Sequence, residues 1–240
     1  MSTTTHLPIV LAMTGASGAP FAVRLLQQLT LANRKVHLLV SPSGAAVLSQ
    51  ELHLELGANR SNVVPLLSYH WPTAANLPPQ ASVWHPLSRD EVERGAANIE
   101  LHDYRNFMTP VASGSHLTEA MIVCPCSGAT LSGIVHAAGN NLIQRAADVH
   151  LKEHRKLILV PRETPMSPFQ LENLHRAAQA GAIVLPAMPG WYHGVYSPVD
   201  LIDFIVARIL DHLRIDHQLM KRWAAEPIDC NPQHASSGDE

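Results

Sequence analysis

Two short apolar runs, each ending in small residues and each followed by sequence with helical spacing, constrain the fold of this chain more than any other feature. Pro8 to Thr14 (PIVLAMT) has strand length. GASGAP follows, and FAVRLLQQLTLANR then spaces its apolar residues as one face of a helix. KVHLLVSPSG and AAVLSQELHLEL repeat the order. Parallel strands need a crossover connection, and a helix is the usual one, so this alternation predicts a parallel sheet with helices on its faces. The order resumes in AMIVCPCSGATLSGIVHAAGNNLIQRAADVHLKEHR, KLILVPRETP, SPFQLENLHRAAQAGA and AIVLPAMPGWYHG. SPVDLIDFIVARILDHL then reads as an amphipathic helix, with Ser197 as N-cap, Pro198 at its first position and Asp200 in its first turn. The fold expected is α/β, a flavodoxin/Rossmann-like doubly wound parallel sheet in three layers. It forms a single domain over residues 1–224, with a polar tail over 225–240.

Residues 57–105 break the alternation. They hold several prolines and the aromatics Tyr69, Trp71 and Trp84, and they read as a long insertion with little regular structure, packed on the surface or on a neighbouring subunit. One further strand is expected within VERGAANIELHDY.

Composition sets limits on function. Apolar residues make up 46% of the 240, enough for a full core, and the formal charge of −3 comes with no long basic run, which argues against a nucleic-acid binder. No apolar stretch reaches the roughly 20 residues that span a bilayer. The first apolar run leads into a Gly-rich turn with no basic segment ahead of it, so it reads as a strand and not as a signal peptide. Three cysteines without framework spacing fit a reducing cytoplasm. The fifteen histidines are scattered, with no H-E-x-x-H and no close Cys/His cluster, so no metal site is expected.

Chemistry concentrates in the turns. TGASGAP (Thr14–Pro20) can let a phosphate approach the backbone at a helix N-terminus; taken alone, it serves equally as a tight turn that binds nothing. VSPSG offers Ser41 and Ser43, VASGSHL offers Ala112, Ser113, Gly114 and Ser115, and CPCSGATLSG is a fourth such turn. Three of the four follow apolar strands, so together they describe a carboxyl sheet edge cleared for a flat or phosphorylated ligand. Cys124 and Cys126 read as small buried packers. Arg145, Lys152, Arg162, Glu163 and Arg208 are the charges placed to matter. Each taken singly is expected to be a solvated surface charge, except Arg208, whose neighbours in FIVARIL are apolar. Tyr192 in GWYHG can add a hydroxyl.

TGASG, ASGS, CPCS, NNLIQRAADVHLKEHRKLILVPRETP, GWYHG and SPVDLIDFIVARILDHL together resemble the UbiX-type flavin prenyltransferases, of the homo-oligomeric flavin-containing decarboxylase-like fold. The likeness covers residues 7–50 and 108–223. It implies transfer of a dimethylallyl group from dimethylallyl monophosphate to N5 of reduced FMN and ring closure at C6. The prenylated FMN then passes to a UbiD-type decarboxylase. It further implies a trimer-based dodecamer, a site shared between subunits and no metal. Carried over by position, Gly15, Ala16, Ser17, Ser41, Ser113, Gly114, Ser115 and Arg145 would contact FMN. Lys152, Arg162, Tyr192 and Arg208, with Arg145, would hold the isoprenyl phosphate, and Trp223 would stand near the substrate. Glu163 would be the proton donor and acceptor, relayed through Ser17. Gln144 stands where the family pattern expects Glu, and the segment 57–105 is longer than that pattern expects. Two rivals remain. A cysteine decarboxylase of the same fold would carry a PASANT-like segment and an early catalytic histidine, and CPCSGATLSG occupies the comparable place. A non-catalytic FMN carrier would not need the set of Glu163 with the cations.

Overall fold

The computed structural model describes residues 6–56 and 62–220. Six strands form one parallel sheet in the order β3-β2-β1-β4-β5-β6. They are β1 (Ile9–Met13), β2 (Val36–Val40), β3 (Ile99–His102), β4 (Ala120–Cys126), β5 (Lys156–Pro161) and β6 (Ile183–Val184). The helices are α1 (Ala19–Leu31), α2 (Pro42–Leu52), α3 (Val64–Ser68), α4 (Arg89–Asn98), α5 (Gly128–Val135), α6 (Leu142–Lys152), α7 (Pro168–Gln179) and α8 (Pro198–Leu213), with a 3-10 turn at Pro110–Ala112. The strand order reverses between β1 and β4, which makes their carboxyl ends the crevice where such sheets bind ligands.

Strand alternation builds the three layers. Ile9, Leu11 and Met13 of β1 join α1, α8 and α3 on one side of the sheet. Val10 and Ala12 join α5, α6 and α7 on the other. Side chains alternate faces along a strand, so a strand covered on both sides must be apolar throughout, and β1, β2 and β4 are buried at every position. Cys124 and Cys126 are inside this core, where burial pushes the Cys126 thiol up to about 12 and Cys124 upward as well. They pack, as their sequence setting implied. The α8 start also matches its sequence signals: Ser197 is the N-cap, and the Asp200 carboxylate accepts from the Ser197 N–H at 2.7 Å.

The segment 57–105 differs from expectation. Its described residues carry two helices, α3 and α4, that were not expected, although irregular structure still makes up more than half of them; the strand expected in VERGAANIELHDY is β3, preceded by a helix. Tyr69 and Trp71 are half-buried against the core. Trp84 is fully buried, and its Nε1 donates to Gln27 Oε1 at 2.6 Å. Gln27 Nε2 in turn donates to the carbonyls of Leu66, Leu67 and Tyr69. One buried amide on α1 thus ties two stretches of this segment, around Leu66–Tyr69 and at Trp84, to the core. Beside it, Arg24 of α1 makes a buried two-point pair with Asp203 of α8 at 2.7 and 3.1 Å, and its guanidinium lies 5.2 Å from the Trp84 ring. Because α1 follows the β1 loop and α8 carries Arg208, this pair fixes two site-bearing elements together.

Candidate active site

The loops after β1, β2, β4 and β5 meet at the carboxyl edge. Met13 is the last residue of β1, and Thr14 is buried behind it. Its hydroxyl donates to the Pro125 carbonyl at 2.7 Å and accepts from the Ser127 N–H at 2.8 Å, which locks the β1 and β4 loops together across the switch point. Gly15 has to be glycine for a steric reason: a Cβ there would lie 2.4 Å from Ser43 Cβ. Gly44 is equally constrained, since its Cβ would lie 2.5 Å from the Met13 carbonyl oxygen. The two glycines are therefore what allows the β1 and β2 loops to touch. Ser41 is buried and caps α2, accepting from the Gly44 N–H at 3.0 Å. Its hydroxyl proton remains to be donated.

Ala16 is buried, while Gly15 and Ser17 face solvent at the rim. Gly18 has φ of +124°, a conformation open to glycine, and it is the N-cap of α1 without a capping side chain of its own. The cap comes from elsewhere. The Glu51 carboxylate, on α2, accepts from the Gly18 N–H at 3.0 and 3.2 Å and from the Ala19 N–H at 2.9 Å. At the α1 start, the Gly18 and Ala19 N–H groups are thereby held by the chain's own anion. Glu51 was not foreseen. It lies on a helix as one polar residue among several, and no spacing in the sequence pairs it with residue 18.

Arg162 and Glu163 follow β5, beside β4. Arg162 Nε donates to the Ser17 carbonyl at 3.3 Å. Glu163 accepts from Gln170 Nε2 at 3.2 Å and from the Thr164 N–H at 3.2 Å. Gln170 also reaches Gly128, where a Cβ would lie 2.8 Å from its Nε2. Ser17, Arg162, Glu163, Gln170 and the α5 start thus form one continuous rim. Ser127 and Thr130 were seen only as part of a small-residue turn. The structure gives them a role: Ser127 caps α5, accepting from the Thr130 N–H.

The remaining residues are held by other neighbours. Ser113, Gly114 and Ser115 do not follow a strand; they precede β4 and pack against the carboxyl end of α6. A Cβ on Gly114 would lie 2.2 Å from Glu153 Oε1, and Arg155 binds the Gly114 and His116 carbonyls. Arg145 on α6 donates to the Ala112 carbonyl at 3.0 Å and pairs with Asp148 at 2.8 Å. Lys152, two turns on, pairs with Glu153 at 2.7 Å. Gln144 is buried, and its Oε1 accepts from the Asn140 N–H at 2.9 Å, a bond that a Glu would make equally well. Tyr192 lies on the loop before α8, with its ring against Phe204 of α8 at 5.9 Å. Arg208, one turn further along α8, is exposed and pairs with Asp211 at 3.1 Å. It is not buried by its apolar neighbours. Trp223 lies outside the described residues.

Arg145, Lys152 and Arg208 thus each pair with a carboxylate one to three residues away. The Lys152 and Arg208 pairs are exposed and contribute about 0–1 kcal/mol each, so a phosphate can displace their carboxylates at little cost, while the Arg145 pair is half-buried.

A family model described as Flavoprotein matches residues 1–210. The flavin prenyltransferase UbiX of Pseudomonas aeruginosa is 41% identical over 220 residues, covering 92% of this chain and 95% of the relative. Among solved structures, AnUbiX (PadA1) in complex with FMN and dimethylallyl pyrophosphate superposes with a TM-score of 0.72 at 33% identity, covering 91% of this chain and 98% of the other. A dodecameric FMN-dependent UbiX-like decarboxylase from Escherichia coli O157:H7 gives 0.70 at 33% identity, covering 90% and 99%.

Proposed function

The chain belongs to the UbiX family of flavin prenyltransferases, and from that premise we propose how its own residues carry out the transfer of a dimethylallyl group to reduced FMN. The observation that carries the proposal is the Arg162 to Ser17 bond at 3.3 Å, because it puts the cation and carboxylate that end β5 on the loop that ends β1. The cleared edge fits a flavin. Gly15 and Gly128 let Ser43 and Gln170 close against the loop backbone that lines this edge, and Gly128 and Ala129 open α5 with first-turn N–H groups that suit the flavin phosphate. Ser17 and Ser41 would touch the ring system. When bound, reduced FMN supplies the nucleophile, first at N5 and then at C6.

The protein's part is electrostatic and positional. Departure of the leaving group concentrates negative charge on a phosphate oxygen, and fixed cations aimed there stabilise the transition state more than the ground state. Arg145, Lys152, Arg162 and Arg208, with the Tyr192 hydroxyl, are the set that would receive the phosphate. Glu163, oriented by Gln170 and the Thr164 N–H, is placed to give a proton to the departing phosphate, and Ser17 to pass one from the flavin side. In one chain the cations sit in three separately held groups. We therefore take the complete site to be shared among subunits of a homo-oligomer, a dodecamer like the Escherichia coli relative. Met108, Phe169, Met188 and Trp191 are exposed apolar side chains that such contacts would cover. Among the described residues no helix is long and apolar enough to cross a membrane. We place the protein in the cytoplasm, handing prenylated FMN to a UbiD-type decarboxylase.

The test is anaerobic. Protein, reduced FMN and dimethylallyl monophosphate are mixed, and the extracted flavin is weighed by mass spectrometry. A gain of one C5 isoprenyl unit is expected. A parallel reaction with the diphosphate identifies the donor. Tightly bound FMN of unchanged mass with both donors would overturn the reading in favour of a carrier or a cysteine decarboxylase.

A further inference from the structure

Histidines scattered along the sequence converge at the β2–β3 edge of the sheet, contrary to the expectation drawn from their spacing. The register explains it. His37 of β2 stands opposite Glu100 of β3, and Leu39 stands opposite His102. Residues two apart on a strand share a face, so Glu100 and His102 project together, one directly and one diagonally across from His37. His37 Nδ1 lies 3.4 Å from Glu100 Oε2 and 2.8 Å from His102 Nε2, and His102 Nδ1 lies 3.8 Å from Glu100 Oε1. One ligand atom from each of the three falls within 4.8 Å of the others. The other nitrogen of His37 is 3.1 Å from His116 Nε2.

We propose that His37, Glu100 and His102 bind a divalent transition-metal ion of the zinc class, with His116 as the outer partner that orients His37. Zinc at about 2.0–2.1 Å from each nitrogen or oxygen in a tetrahedral site separates its ligands by about 3.3 Å. Measured from the one ligand atom His37 Nδ1, the separations of 2.8 Å to His102 Nε2 and 3.4 Å to Glu100 Oε2 bracket that value, and the two imidazoles need open by only about half an ångström. Two imidazoles and a carboxylate leave a fourth position, which is the pattern of an open zinc site. A metal-bound histidine commonly gives its second N–H to a neighbouring acceptor, and His116 is placed to be one. His37 and His102 are buried, whereas Glu100 is exposed, so an ion has a way in. A cleft of about 670 Å³ opens there, lined by His6, Lys35, His37, Asn98, Glu100 and His116. The ligands lie on β2 and on the edge strand β3, apart from the Ser17, Arg162 and Glu163 rim. Such an ion would clip the edge strand β3 to β2 and take no part in prenyl transfer. The ligand set excludes magnesium and calcium, which favour oxygen donors.

The experiment uses the full chain loaded with FMN. It is stripped with a chelator, equilibrated with Zn²⁺ alone and then assayed for metal per chain and affinity. Co²⁺ serves as a second probe, since a four-coordinate site gives intense visible absorption. One equivalent of Zn²⁺ per chain is expected. Glu100→Gln changes an exposed side chain and should fold normally, yet should remove that equivalent and the Co²⁺ band; His102→Ala should do the same. His116→Phe should weaken binding by about 10–100-fold without abolishing it. Prenyl transfer should be unchanged in Glu100→Gln. No saturable Zn²⁺ binding by the unsubstituted chain, or one equivalent retained by both Glu100→Gln and His102→Ala, would overturn the site and leave a hydrogen-bonded histidine chain.

Discussion

The Glu51 carboxylate at the start of α1 gives the sharpest test of how the β1 loop is held. It accepts from Gly18 N–H through both oxygens and from Ala19 N–H through one, at 2.9–3.2 Å. Glu51→Gln keeps the shape and one acceptor oxygen. Placed where the present Oε2 stands, that oxygen preserves the bonds at 2.9 and 3.0 Å but makes them neutral. A hydrogen bond to a charged group contributes about 1.5–3 kcal/mol against about 0.5–1.5 for a neutral one. Loss of negative charge at a helix N-terminus costs a further 0.3–1 kcal/mol or so. The bonds share one carboxylate and are not additive, so the expected loss is about 2 kcal/mol. For a chain of this size that lowers the thermal midpoint by roughly 4–8 °C. Scanning calorimetry of the apo-protein at fixed concentration measures it, since assembly makes the midpoint concentration-dependent. FMN titration supplies the second readout, and the variant should bind no tighter than the parent. An unchanged midpoint would show that the carboxylate does not hold the loop. Tighter FMN binding would be more damaging still, because Glu51 would then be competing with the flavin phosphate for α1, and the phosphate would not belong at α5.

Glu163→Gln should leave FMN affinity intact and lower prenyl transfer by about 10²–10⁴-fold, the usual contribution of a positioned acid or base; an unchanged single-turnover rate would remove Glu163 from proton transfer. Gly44→Ala should destabilise by about 1–3 kcal/mol and weaken FMN binding, because the new methyl meets the backbone carbonyl of Met13 at 2.5 Å, which cannot rotate away; a wild-type denaturation midpoint would contradict this. Trp84→Ala should cost about 3–5 kcal/mol in urea denaturation, as expected of a core residue; a loss under 1 kcal/mol would return the segment around it to the surface.

Sequence carried the parts of this molecule that are local. Apolar runs of strand length became buried strands, and Ser197, Pro198 and Asp200 began α8 because capping depends on residues at most three apart. The Ser88–Glu91 capping box ahead of α4 was equally local; the bonds of Glu91 Oε2 to the Ser88 N–H and hydroxyl are both 2.7 Å. It marks the start of α4 within a segment rich in prolines. What was illegible is what depends on register or on chain direction. The turn of Ser113 to Ser115 has the composition of the turns that follow β1, β2 and β4, yet it precedes its strand and lies at α6. His37 and Glu100 are opposite each other only because β3 pairs with β2 in one particular register, and a one-residue slip would send them to different faces.

The same distinction bears on how the site is assembled. Ser17, Arg162 and Glu163 can converge within one chain because β1 and β5 flank β4 and all three strands end at one edge. Arg145 and Lys152 are seven residues apart on α6, a spacing that puts them on one stripe. Arg208 and Tyr192 share the Phe204 side of α8. Each group is internally fixed by the fold, but nothing in a single sheet requires three such groups to face one another. Weakly paired, exposed cations are expensive to gather in one chain, where they would repel, and far less so where a bound phosphate and a neighbour's surface meet them. Symmetric assembly lets one surface patch on each chain complete the rim of another. If that is how the phosphate is held, Arg208→Ala and Glu163→Gln subunits, each inactive alone, should recover prenyl transfer when co-assembled, because a shared site can then be built from one intact half of each. Mixed oligomers that stay inactive would confine the whole set to one chain.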